Sequence, residues 1–161
     1  MSCIEDAAWD VSMKGKVTYM VEVIINTITG TMLLVCGLQD IKMQKFYSWI
    51  ALLGGILIGI CLPFSSAITI IDRLVGSLVG LGVILISMMT RGKIGMGDGI
   101  ILCITGISLG FWKNLELFLI ALLLSAIISI LLLATKRVDR QKAIPFIPFI
   151  FIAFVIERIG I

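Results

Sequence analysis

Histidine is absent from this chain, and its four cysteines, Cys3, Cys36, Cys61 and Cys103, form no C-x-x-C pair. With neither ligand type at zinc spacing, no metal and no other cofactor is expected. The cysteines fall mostly in apolar runs, where a free thiol acts as a small hydrophobe. Charge is also scarce: Asp, Glu, Lys and Arg make up 14% of the residues, and the formal net charge is only +3. That excess is too small to argue for a nucleic-acid partner. The apolar–polar alternation of a membrane barrel strand is missing. So is a secretory signal pattern: Glu5, Asp6 and Asp10 precede Lys14 and Lys16, and the apolar stretch that follows lacks a small-residue cleavage site. A retained first helix is expected.

What the chain does have is apolar length. It is 161 residues long, 60% hydrophobic, with a mean hydropathy of +1.17. A helix needs ~20 apolar residues to cross the ~30 Å hydrocarbon core. The expectation is an all-α integral membrane protein, a single domain over residues 1–161 with six transmembrane helices. Apolar runs bounded by charge place the spans at Val17 to Leu38, Tyr47 to Ile70, Leu74 to Thr90, Asp98 to Trp112, Leu115 to Ala134, and Ala143 to Ile159. Pro63 is expected to kink the second span, and Pro145 with Pro148 to shape the start of the sixth. Three G-x-x-x-G pairs, Gly55/Gly59, Gly76/Gly80 and Gly106/Gly110, predict close helix packing within the chain.

Basic residues choose an orientation. Lys42, Lys45, Arg91, Lys93, Lys136, Arg137, Arg140 and Lys142 follow the first, third and fifth spans, against Lys14, Lys16, Arg73, Lys113 and Arg158 on the other side. The positive-inside bias puts the first group in the cytoplasm and both termini outside a multi-pass cell membrane. Asp40 and Asp98 fall on that cytoplasmic side. Carboxylates at the edge of apolar spans are costly and mark functional sites. Two of them on one side can form an acid pair, one ionised and activating water, the other protonated and donating to a scissile carbonyl. Gly95 and Gly97 flank Asp98 and permit close approach of an extended peptide. Each aspartate alone also fits a helix-end cap. Their shared side, spacing and flanking glycines together favour an aspartic endopeptidase.

The other charges read as structural. Asp72 with Arg73 is expected to be a solvated pair in an outer loop, Glu116 a helix-surface partner of Lys113, and Glu157 with Arg158 an interfacial pair. Glu22 either snorkels outward or lines the bundle, and Asp139 sits among basic residues of the fifth loop.

Gly95-Met96-Gly97-Asp98, with Gly106 and Gly110 beyond it, resembles the G-x-G-D signature of the type IV prepilin peptidase family, membrane aspartic proteases that share it with preflagellin peptidases and, more remotely, presenilins. Asp40-Ile41-Lys42 resembles the family's first catalytic aspartate and its successors, and Lys142-Ala143-Ile144-Pro145-Phe146-Ile147-Pro148-Phe149 its proline-phenylalanine motif. The resemblance implies a six-helix bundle with Asp40 and Asp98 catalytic at the cytoplasmic face, and Gly95, Gly97, Lys42, Pro145 and Pro148 shaping the site. It implies pilin-like precursors as partners, cleaved after a short basic leader to supply a type IV pilus or a protein-secretion apparatus. Larger members carry an insertion with paired C-x-x-C zinc motifs and methylate the new N-terminus. This chain lacks that insertion, so peptidase activity alone is implied. Phe46-Tyr47-Ser48 stands where the family often has Ile-Pro-Asn, Ile100 where it has lysine, and Ile147 where glycine is common. An ion- or proton-coupled transporter and a catalytically silent scaffold for pilin-like helices are the alternatives.

Overall fold

The computed structural model describes residues 2–43, 48–65, 68–90, 95–134 and 145–160. Among them, every regular element is helical: α1 (Ser2–Met43), α2 (Ser48–Cys61), a 3-10 turn (Leu62–Phe64), α3 (Ile70–Met89), α4 (Met96–Leu109), α5 (Phe111–Ala134) and α6 (Ile147–Ile159). Three segments are long and apolar enough to cross a membrane, Gly15–Ile41, Ile70–Met89 and Phe111–Leu132. Trp49–Phe64 and Met96–Leu109 are apolar but shorter.

α3 wears its leucines outward. On α3, Leu74, Leu78, Leu81 and Leu85 are exposed, while Arg73, Gly76, Gly80 and Ser87 face inward. The spacing is that of a helix face, but with the polarity of a water-soluble helix reversed. Such a surface suits lipid, where burying leucine gains nothing and small or polar residues mediate contact.

Glycine sets the closest contact, between α3 and α4. A Cβ on Gly76 would lie 2.6 Å from the Gly106 carbonyl oxygen, and one on Gly80 would strike the Cys103 backbone. Gly76 therefore packs on Gly106 and Gly110, and Gly80 on Cys103 and Gly99, backbone against backbone. Gly55 faces the Ile104 side chain of α4 and Gly59 faces open space, so that third pair brings no two backbones together. Asn114 of α5 seals the joint. Fully buried, it donates to the carbonyls of Gly76 and Leu102 at 3.0 Å each and accepts from Thr105 at 2.7 Å. Leu33, Ile101, Leu102, Leu117, Ile147 and Ile150 form an apolar core linking α1, α4, α5 and α6.

Several boundaries differ from the sequence reading: α1 runs past Val17–Leu38 at both ends, so Asp40 is helical, and Phe111 and Trp112 open α5 instead of closing the fourth span. The second helix stops at Cys61, and Pro63 opens the 3-10 turn instead of kinking a longer helix. α3 begins at Ile70, capped by Thr69, ahead of the expected start at Leu74. Asp72 and Arg73 are consequently helical, in the first turn of α3, and not in a loop.

Candidate active site

Successive helices alternate in direction, so the end of α1 and the starts of α4 and α6 meet at one end of the bundle. Asp40 lies one turn before the end of α1, above the buried Cys36. Gly37, on the same helix, lets α6 approach: a Cβ there would sit 3.4 Å from the Pro148 Cα. This contact brings the first residue of α6 to the aspartate. The Ile147 N–H donates to Asp40 Oδ2 across 3.4 Å. Asp40 thus caps α6 from another helix, supplying an acceptor to one of the free N–H groups that open every helix. Pro148 sits in the first turn of α6, where its missing N–H costs nothing.

Asp98 arrives from α4. The helix is capped by Gly95, whose extended backbone (φ −62°, ψ 119°) turns the chain into the first turn. The Asp98 N–H donates back to the Gly95 carbonyl at 3.2 Å. A Cβ on Gly95 would lie 2.9 Å from Asp98 Oδ2, so the glycine leaves the space that the carboxyl group occupies. Asp98 itself is not the N-cap. It stands in the first turn, where the positive end of the helix dipole favours a carboxylate. Both aspartates are half-buried, and their carboxyl groups are close enough to interact electrostatically.

Two acids that share a field and have few partners can divide one proton between them. Among the described residues, the Asp40 carboxyl has one long hydrogen bond and the Asp98 carboxyl has none. Gly97 occupies the same turn as Asp98, and Pro145 lies two residues before α6. The Lys42 side chain, Phe46, Tyr47, Asp139 and the Lys142–Ile144 stretch fall outside the described residues. Among those described, no three of His, Cys, Asp and Glu come together as a metal site.

Ile147 was visible only as a departure from a sequence pattern, yet its backbone N–H is the group that meets Asp40. That bond needs no particular side chain, so residue identity carries no sign of it. The signal available was proline just inside a helix start.

The opposite end of the bundle corrects two expectations. Arg73 is 5% exposed and spans from α3 to the end of α4. Its guanidinium donates to the carbonyls of Ile107 (2.8 Å), Ser108 (3.3 Å) and Ile68 (3.4 Å) and to Ser65 Oγ (2.8 Å). It is a buried strut, not half of a solvated pair, because the last carbonyls of α4 lack helical partners and a cation satisfies them well. Glu157 is also buried, at 7% exposure, with both carboxyl oxygens unpartnered among the described residues, while Arg158 turns away to Asn26 at 2.7 Å. Thr29 and Ser108, fully or nearly buried, share a 2.7 Å hydrogen bond between α1 and α4.

No protein-family model, no curated protein and no solved structure matches this chain.

Proposed function

We propose that the protein is a membrane aspartic endopeptidase that removes the leader from type IV pilin-like precursors at the cytoplasmic membrane face. The observation that carries this reading is the convergence of Asp40 and Asp98, from different helices, at one end of a bundle with apolar outer faces. The shorter α2, α4 and α6 complete a six-span bundle in this reading, and the basic segments beside the acid pair put it in the cytoplasm.

The chemistry follows from the pair. The ionised aspartate takes a proton from water as the water oxygen attacks the scissile carbonyl. The protonated aspartate gives its proton to the carbonyl oxygen. Collapse of the tetrahedral intermediate breaks the C–N bond and passes a proton to the leaving amine. Neither step needs a metal or a side-chain nucleophile. The Ile147 N–H holds Asp40 in orientation, and the missing side chain of Gly95 makes room for the Asp98 carboxyl group itself. A pilin-like precursor suits the geometry: its hydrophobic helix lies along the apolar flank while the leader junction, in water, reaches the acids.

The test is cleavage of a pilin-like precursor in liposomes by the wild type and by Asp98→Asn and Asp40→Asn. Cleavage at the leader junction by the wild type alone supports the reading. Turnover by either variant, or none by the wild type across several precursors, overturns it.

A further inference from the structure

A polar cavity of about 50 Å³ lies at the end of the bundle opposite the acid pair. Its wall includes three cations from three helices: Arg73 of α3, Lys113 of α5 and Arg158 of α6. Glu22 is the one carboxylate in the wall, and Asn26, Ser65 and Ser108 add uncharged polar groups. Asp72, Glu116 and Glu157 stand near these cations but do not line the cavity.

Several features separate this cavity from a packing defect. A void between apolar helices stays dry and apolar, whereas this one is walled mainly by charged and hydrogen-bonding groups. Arg73 is held in place by four acceptors, so its charge is fixed at the cavity wall. Arg158 is held by Asn26 and lies over the Phe154 ring, yet its buried Nε has no partner among the described residues. Lys113 is exposed and free to reach in. The volume exceeds that of one water and is comparable to a small oxyanion.

Depth in the bilayer narrows the ligand. Lys113 is the third residue of α5, Arg73 the fourth of α3, and Arg158 lies in the last turn of α6. Exposed Trp112 and Tyr19, at 75% and 69%, flank the same end. Aromatic residues of this kind settle at the headgroup level of a membrane. Fixed cations at that level, between helices, are the arrangement that recognises phosphorylated headgroups.

We propose that this cavity binds a phosphoryl anion, supplied by the headgroup of an anionic phospholipid, with Lys113 and Arg158 as its direct partners and Arg73 as a fixed charge behind them. Glu22 opposes the anion and limits its affinity. The site is independent of the acid pair and of the peptidase reading.

The experiment reconstitutes the full chain in phosphatidylcholine membranes with and without phosphatidylglycerol. Native mass spectrometry then counts retained lipid, and a parallel thermal melt in detergent uses inorganic phosphate as the probe. The wild type is expected to retain phosphatidylglycerol in preference to phosphatidylcholine. Lys113→Gln should weaken retention about fivefold, the effect of one cation near a lipid surface. Lys113 is exposed, so the variant keeps its fold. Glu22→Gln should strengthen retention instead, a sign that a purely structural role does not produce. Stabilisation by inorganic phosphate alone, lost in Lys113→Gln, assigns the same site to free phosphate. Equal retention of both lipids with no response to phosphate overturns the proposal, as does retention unchanged in both variants.

Discussion

Arg73 at one end of this bundle and the acid pair at the other are held in opposite ways. At one end, Arg73 is saturated by backbone carbonyls and a hydroxyl, and Asn114 nearby uses both its donor and acceptor sides. At the other, Asp40 and Asp98 share a field with a single long hydrogen bond between them and the rest of the described protein. Buried polar groups are normally satisfied, and those that are not require a reason. Saturation of Arg73 and Asn114 locks helices together, while Glu157 and the Arg158 Nε at the same end stay unpartnered among the described residues. Among the described residues the two carboxyl groups at the second end have few partners, which in the peptidase reading leaves them available for proton transfer.

The comparison can be broken most severely at the acid end. Asp98→Asn is expected to lower precursor cleavage by about a hundred- to ten-thousand-fold, the scale of lost acid–base catalysis, with the thermal midpoint little changed. A comparable loss of stability in this variant would place Asp98 with the structural groups and erase the contrast. Arg73→Met should behave in reverse. It strands the end carbonyls of α4 and should cost on the order of 3 kcal/mol of stability, measured by denaturant titration in mixed micelles, while the surviving folded fraction keeps its cleavage rate.

Gly106→Ala sharpens the comparison from between the two ends. Its methyl group would strike the Gly76 backbone, and backbone cannot move aside as a flexible side chain can. A loss of about 1–3 kcal/mol is expected, together with reduced cleavage, because the same helix carries Asp98. A variant that loses stability but keeps full activity would show that α4 does not set the position of the acid.

Much of the architecture was legible because a bilayer simplifies the pattern. Apolar runs broken by charge locate the helices, and direction alternates, so the Asp40 and Asp98 positions fall at one end once the runs are counted. Gly76/Gly80 and Gly106/Gly110 were readable as close-packing pairs, although sequence alone could not say that Gly76 meets Gly106 and Gly110, that Gly80 meets Cys103 and Gly99, or that Gly59 meets nothing. Arg73 was not legible. A charged dipeptide at the edge of an apolar run looks the same whether it lies in water or turns inward. What decides is the end of α4, distant in sequence, which presents unpaired carbonyls to it. The hydrogen bond from Ile147 to Asp40 was hidden for a different reason: every residue except proline carries that donor.

The joint at Gly110 bears on how the chain is built. Only this residue, at φ +80°, separates Leu109 of α4 from Phe111 of α5. α4 is 14 residues long, so it measures only about 21 Å and falls short of the ~30 Å apolar layer. It also carries a carboxyl group in its first turn. Such a segment is a poor candidate for independent entry into a membrane during synthesis. α5, with 24 residues, is long enough to be a strong one. In the six-span reading, biogenesis should therefore deliver α4 late, drawn in when α5 emerges and the glycine faces of α3 and α4 can close. Glycosylation mapping of chains truncated before and after α5 reads this order directly: α4 should be found across the membrane only in the longer chains.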